Sequence, residues 1–380
     1  MNETIDNILR CLHNQGNLRT IPATDTPDSV IDLSSNDYLG IAADNKLRED
    51  FLAKEGMTKL SLSASASRLL AARQTTFSRF EKLLEQVYGS PALLFNSGYH
   101  ANSGIVGALG SLRNTYILAD KLVHASIIDG IKLSGAPFGR FRHNDYQHLG
   151  KLAAKAATEY ENIIIIAESI YSMDGDKSDI DALAEVKRSL PSAILYIDEA
   201  HAVGVEGPGG LGIVAASVRR NDVDIIIGTL GKALGSTGSY AIVNNKMRSF
   251  LVNKARSLIF STALPPFNIA WSEFAFRAML GMDSQREKLH ALGLRLAQIL
   301  APFGGSQRGG HIQPLIAGTP VKAVEWSKAL AEDYFSVLPV RTPTVPPGTD
   351  RLRFSLSARI DPEDISKLSG SLTKIINNGR

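Results

Sequence analysis

The sequence predicts an α/β protein: a large domain around a mostly parallel sheet, followed by a smaller C-terminal α+β domain. Three observations predict it. Short, continuously apolar runs alternate with stretches of helical spacing, reactive residues gather just after those runs, and the pattern changes near Ser261. Runs too short for a helix and apolar at every position suit strands buried on both faces, as in a parallel sheet covered by helices.

The expected strands are Ala92–Phe95, Tyr116–Ala119, Ile163–Ala167, Ala193–Ile197, Asp224–Gly228 and Tyr240–Val243. Helical spacing covers Thr76–Tyr88, Ser126–Ser134, Leu149–Tyr160 and Ile180–Ser189. In open parallel sheets ligands bind beyond the carboxyl ends of the strands. Five runs are followed there by reactive or backbone-exposing residues: Ser97 and Gly98, Asp120 and His124, Glu168 and Ser172, Asp198 and His201, Thr229 and Lys232. After Ser261 the segment Thr262-Ala-Leu-Pro-Pro266 breaks the chain. A long helical stretch (267–300), short strand-like pieces (Ile312–Ile316, Val337–Val340, Arg351–Leu356) and a helix from Pro362 follow. The expected organisation is an N-terminal helix and arm over 1–45, a large domain over 46–266 and a small domain over 267–380.

Composition narrows the function classes. With 380 residues and 44% hydrophobic content the chain can bury a large core. Lys plus Arg number 41 against 38 for Asp plus Glu, and no basic run stands out, so nucleic acid is not an expected partner. The one cysteine, Cys11, excludes an internal disulfide and a cysteine metal cluster, so no metal is expected. The N-terminus MNETIDNILRCLHNQGN lacks the apolar core of a signal peptide, and no apolar run approaches membrane-spanning length. A soluble, cytoplasmic protein is expected.

One stretch focuses the chemistry. GTLGKALGSTGSY sets Lys232 among four glycines directly after an apolar run. A nucleotide-binding P-loop needs G-x-x-x-x-G-K-[ST], where the last hydroxyl binds magnesium. Here Ala233 follows Lys232, so that ligand is missing. The other reading is a lysine that carries pyridoxal phosphate (PLP) as an imine. PLP also needs an acid beside its pyridine nitrogen, donors for its phosphate and a group against its ring face. Asp198 closes the run Ala193–Ile197, 34 residues before Lys232, which leaves room for one further strand and brings both residues to the same sheet edge. Taken singly, each residue has an ordinary reading: Asp198 as a helix cap, His201 as a hydrogen-bonded structural histidine, Lys232 as a solvated lysine in a glycine turn. Asp-Glu-Ala-His after one buried run and a glycine-flanked lysine after the next favour the cofactor.

A longer set of motifs occurs in order: Ser35-Asn-Asp-Tyr-Leu-Gly40, Ser67-Arg-Leu-Leu70, Phe95-Asn-Ser-Gly-Tyr99, Asp120-Lys-Leu-Val-His-Ala-Ser126, His143-Asn-Asp145, Ser172-Met-Asp-Gly-Asp176, Asp198-Glu-Ala-His201, Gly228-Thr-Leu-Gly-Lys-Ala233, Ser261-Thr-Ala-Leu-Pro-Pro266 and Pro343-Thr-Val-Pro-Pro-Gly-Thr-Asp-Arg-Leu-Arg353. With it the chain resembles the α-oxoamine synthases, PLP enzymes with the aspartate-aminotransferase-like fold. Asn36–Gly40, Pro343–Pro346 and the compact length most resemble the members that condense L-alanine with a pimeloyl thioester, on CoA or acyl-carrier protein, in biotin synthesis. The same family also holds glycine C-acetyltransferase and 5-aminolevulinate synthase, which stay open as alternatives.

The resemblance implies roles residue by residue. Lys232 carries the cofactor and removes the amino acid α-proton. Asp198 pairs with the pyridine nitrogen, His201 bonds the phenolic oxygen and polarises the thioester, and His124 stacks on the ring. Gly98, Tyr99, Ser172 and Thr229 contact the cofactor, Thr229 at its phosphate. Arg353 pairs with the amino acid carboxylate, whereas Thr344 and Arg19 contact substrate, Arg19 at the far carboxylate of the acyl chain. Ser261 and Thr262 approach the phosphate of a neighbouring chain, which makes a homodimer with shared active sites. Two departures stand out. Ser63-Ala-Ser-Ala-Ser-Arg68 replaces a glycine-rich Gly-x-Gly-x-Ser-Arg, and Ala71-Ala72 replaces Ser-Gly. Losing glycines is expected to restrict positive φ in that loop.

Overall fold

A computed structural model of the protein describes residues 1–21, 27, 29–71 and 74–378, so Ala72 lies outside the described residues. The chain opens with the helix Asn2–Asn14 and a two-residue strand, β1 (Ile31–Asp32), and then builds a seven-stranded sheet. Its strands are β2 (Ala92–Phe95), β3 (Thr115–Asp120), β4 (Phe138–Phe141), β5 (Asn162–Glu168), β6 (Ala193–Asp198), β7 (Ile225–Thr229) and β8 (Ser239–Ile242). In space they run β2-β8-β7-β6-β5-β3-β4. The four ladders among β3 to β7 are parallel, and β8 runs antiparallel to both β2 and β7.

The alternation of side chains across each strand explains why these runs are apolar throughout. On one face Ile117, Ile164, Ile166, Tyr196, Ile225 and Ile227 pack with Ile105 and Val106 of the helix Gly98–Gly110 and Ile127 and Ile131 of Ala125–Ser134. On the other, Leu118, Ile163, Ile165, Leu195 and Ile197 pack with Leu149 of Tyr146–Ala156 and Leu183 of Ile180–Arg188. Both faces of the central strands are therefore core, and their polar residues are left at the strand ends; the edge strand β4, Phe-Gly-Arg-Phe, is more exposed.

Two compact units emerge. The larger holds Leu39–Tyr171 and Lys177–Arg286, and the smaller holds Met1–Tyr38, Ser172–Asp176 and Glu287–Arg380. The arm falls with the C-terminal residues because β1 pairs in parallel with β10 (Phe335–Ser336). The stretch read as one helix over 267–300 is two helices, Pro266–Met279 and Asp283–Leu300. The first belongs to the larger unit, where Phe276 packs edge-on against Phe80 with ring centroids 5.8 Å apart. The smaller unit is built on an antiparallel sheet in the order β11 (Leu338–Val340), β12 (Arg351–Ser355), β9 (Ile312–Ile316).

The glycine-poor loop adopts a left-handed residue despite its sequence. Ser65, at one of the positions where the resemblance leads one to expect glycine, has φ +54°. Its amide donates to Ser63 Oγ at 3.0 Å, a local bond that offsets part of the strain. The expected restriction does not keep this loop out of positive φ.

Candidate active site

Strand register brings the first carboxylates together. β5 and β6 pair Glu168 with Asp198, and β6 and β7 pair Asp198 with Ile227, so the carboxyl ends of all three lie level. Asp198 is only 4% exposed. Its Oδ2 accepts from Asn102 Nδ2 at 2.7 Å and its Oδ1 from the Ala200 amide at 2.9 Å. Asn102 is itself fixed: Tyr196 Oη donates to its Oδ1 at 2.5 Å, and its Nδ2 also reaches Ser126 Oγ at 2.9 Å. Burial pushes the Glu168 carboxyl well above the usual carboxylate range, and the Asp198 charge adds to this. Asp198, by contrast, faces two N–H donors, an arrangement that suits an acceptor-only group.

Glu168 also positions a histidine. The His124 amide donates to Glu168 Oε1 at 2.5 Å, and His124 Nδ1 lies 2.7 Å from Ser126 Oγ at the start of Ala125–Ser134. Partial burial pulls the imidazole below the usual histidine range; Asp198 opposes this and Lys232 reinforces it. The residue as a whole is exposed. A neutral, flat ring held by its edge suits stacking against an aromatic ligand.

Lys232 follows β7 in a turn that returns directly to β8, where Thr229 pairs with Ser239. Leu230 N–H donates to Gly238 O at 2.9 Å and Ser236 N–H to Leu230 O at 2.9 Å, closing the turn around the lysine. Gly238 has φ +110°, a conformation that side chains disfavour. A Cβ on Gly228 would lie 2.2 Å from the Tyr240 ring, so only glycine lets β8 approach β7 there. The glycines around Lys232 thus serve the turn and the strand contact. The Lys232 amine lies 2.7 Å from Nε2 of buried His201. Thr229 Oγ1 accepts from the Gly231 amide at 3.2 Å and donates to Gly238 O at 3.4 Å.

The helix Gly98–Gly110 starts at the end of β2, capped by Ser97, whose Oγ accepts from the His100 amide at 3.2 Å. Its first amides have no partner within a helix, and a Cβ on Gly98 would meet nothing within 4 Å. Tyr99 Oη donates to Asp129 at 2.6 Å. Asn96, just before this cap, donates to Thr262 O at 2.6 Å and to Ser261 Oγ at 3.3 Å, and Ser67 bridges Thr262. The larger unit thus carries an amine, a carboxyl group with fixed donors, an imidazole plate and an open helix N-terminus. That set fits an aromatic aldehyde bearing a ring nitrogen and a phosphate.

The smaller unit holds Ser172, Arg353, Arg19 and Thr344. Arg353 is 3% exposed; its Nε donates to Ser172 O at 2.6 Å and its Nη2 to Asn36 Oδ1 at 3.1 Å. Among the described residues no carboxylate lies within ion-pair distance of it. A buried guanidinium with neutral partners alone is costly, and an anionic ligand relieves that cost. Arg19 Nη2 donates to Thr344 Oγ1 at 3.0 Å. Burial pushes the nearby Tyr38 phenol up to about 12, against the pull of Arg353.

Residues 28–372 match the sequence profile described as aminotransferase class I and II. The chain belongs to the aminotransferase class I and II family. Within it, the chain is similar to the α-oxoamine synthases. An 8-amino-7-oxononanoate synthase of Chlorobaculum parvum is 43% identical over 91% of this chain and 89% of its own. A Pasteurella multocida protein provisionally given the same name is also 43% identical, over 92% of this chain and 90% of its own. Among solved structures, a serine palmitoyltransferase from S. paucimobilis with bound PLP–myriocin aldimine superposes with TM-score 0.88 at 26% identity, covering 98% of this chain and 96% of that one. The 8-amino-7-oxononanoate synthase of Francisella tularensis superposes with TM-score 0.79 at 26% identity, covering 93% and 99%. The protein is a PLP-dependent acyltransferase with the aminotransferase fold.

Asn102 and Glu168 act on the predicted residues, yet neither was singled out as a site residue. Glu168 had a usable signal in its place at a strand end. Asn102 had none, because its link to Asp198 spans 96 positions.

Proposed function

We propose that the protein condenses L-alanine with a pimeloyl thioester, carried by CoA or acyl-carrier protein, to give 8-amino-7-oxononanoate, carbon dioxide and free thiol. The observation that carries this reading is the Lys232–His201 contact beside the buried Asp198–Asn102 pair, in a chain 43% identical to proteins of that name.

When bound at Lys232, PLP supplies the electron sink that acidifies the amino acid α-hydrogen. The residues then divide the work. Asp198, held by Asn102 and the Ala200 amide, keeps its charge in place to hold a cationic ring nitrogen. His124 covers the ring face. Thr229 and the first amides of Gly98–Gly110, with Tyr99, receive the phosphate, assisted by Ser172 and by Ser261 and Thr262 of a second copy. Arg353 pairs with the alanine carboxylate through its planar fork. The Lys232 amine takes the α-proton, and its contact with His201 Nε2 gives that proton a second acceptor. His201 donates toward the thioester oxygen as the thiol departs. The residues around the Arg19–Thr344 pair receive the acyl chain, with Arg19 at its far carboxylate. A cytoplasmic homodimer is the proposed working form; no helix among the described residues is long and apolar enough to cross a membrane.

Thiol release tests the reading. L-alanine with pimeloyl thioester is expected to exceed glycine with acetyl or succinyl thioester by at least about tenfold in kcat/KM, the size of one well-formed charge contact. Faster release with glycine would replace the reading with another α-oxoamine synthase activity. Borohydride reduction followed by peptide mapping is expected to place the pyridoxyl label on Lys232.

A further inference from the structure

Arg341 had no part in the site read from the sequence. It directly follows β11 and is half-buried. Its Nη1 donates to Gly16 O at 2.7 Å and to Leu18 O at 3.3 Å, so one nitrogen clamps the N-terminal arm on both sides of Asn17. The next residue of the arm is Arg19, whose Nη2 is held by Thr344, three positions after Arg341. Two guanidiniums are thus fixed near one another by reciprocal contacts between the arm and the strand end. Among the described residues neither has a carboxylate within ion-pair distance. An acid that acts on Arg341, Asp350, already accepts from the Thr342 amide at 2.9 Å and its hydroxyl at 3.3 Å. Burial lowers the Arg341 pKa and the Arg19 charge lowers it further, which reports the mutual repulsion of the pair. Arg19 and Thr344 are exposed, so a ligand can reach them. Like charges held together with no described carboxylate in contact are relieved by an anion, and two planar forks suit a carboxylate.

We propose that Arg341 is a specificity-determining residue that joins Arg19 and Thr344 in a carboxylate site and so selects acyl donors whose chain ends in a carboxylate. This rests on the reading that the donor is a pimeloyl thioester, and it assigns the choice of that chain to a residue outside the PLP chemistry.

The test compares pimeloyl thioester with its ω-methyl ester, which has almost the same length but no terminal charge. Wild-type enzyme is expected to prefer the free acid. Arg341→Gln is expected to lose roughly 10–100-fold in kcat/KM on the free acid, mainly through KM, and to change little on the ester. Arg341→Lys is expected to recover part of the loss. Equal losses on both donors would reduce Arg341 to a clamp on the arm and overturn the proposal, as would no loss on either. If wild-type enzyme turns over neither donor, the function proposed above fails by itself. Calorimetric titration with pimelate then reads the anion site directly: roughly tenfold weaker binding to Arg341→Gln supports it, and unchanged binding overturns it.

Discussion

Glu199, the residue after Asp198, is fully buried and takes no part in the chemistry above. Its Oε1 accepts from the Ile213 amide at 2.8 Å and the Val214 amide at 3.2 Å, while Oε2 has no hydrogen-bond partner among the described residues. Burial pushes its carboxyl up to about 7, although the Ile213 and Val214 amides pull it down. A folded-state pKa above the unfolded one means that the native protein holds a proton the unfolded chain has lost. That contribution is complete below about 4.5 and fades as pH rises through about 7. Glu199→Gln keeps the acceptor for both amides and removes the charge. Denaturant unfolding is expected to show the variant more stable than wild type at pH 8 by on the order of 1–3 kcal/mol, with no gain at pH 4.5. An equal gain at both pH values would place the effect elsewhere.

Among the elements, the helices Gly98–Gly110 and Ala125–Ser134 set the position of Asn102. A Cβ on Gly130 would lie 2.9 Å from Val106 Cβ and 3.0 Å from Asn102 O. Gly130→Ala is therefore expected to push the helices apart, costing about 1–3 kcal/mol in chemical denaturation and weakening PLP retention, which visible absorbance on dilution would follow. Retention as tight as wild type would detach Asn102 from the cofactor. This contact also explains what the sequence could not disclose. GYHANSGIVGALG is rich in glycine and carries two polar residues of weak helix propensity, so the helix holding Asn102 was not expected. Its small residues answer to a neighbour that lies elsewhere in the chain. The short strand β4, Phe-Gly-Arg-Phe, was missed because an edge strand need not be apolar throughout. Central strands were legible since Ile163–Ile166 has little use except burial on two faces, and Lys232, Asp198 and His201 were legible because reactive residues end such strands.

At the scale of the molecule, Leu62, Leu70 and Phe260 are largely exposed in the two segments joined by the Ser67–Thr262 bridge. Apolar side chains flanking Ser261 and Thr262 suit a face that a second copy covers. Co-expression of Lys232→Ala with the double variant Ser261→Ala, Thr262→Ala tests the sharing of sites. If each site draws on two chains, the mixed dimer has one doubly defective site and one intact site, and thiol release is expected to return to roughly half the wild-type rate per mixed dimer. A mixture as inactive as its parents, or a double variant fully active alone, would reject it.

The sheet order has a further consequence for the way the protein is made. Strand β2 lies at the sheet edge, and its partner there is β8. At ordinary elongation rates, the chain from Phe95 to Ser239 takes roughly 7–30 s to synthesise. Throughout that interval Ala92–Phe95 has no strand to close against, and β7 lacks its outer neighbour. Ribosome-bound chains arrested before Ser239 reaches solvent are expected to be cut readily by protease and to be held by chaperones. Chains arrested once Ile242 has cleared the exit tunnel are expected to resist both. Lys232 precedes β8 in the chain, so the turn that presents its amine can set only after the last strand has slotted between the earlier ones, which makes the cofactor a late arrival in the life of each molecule.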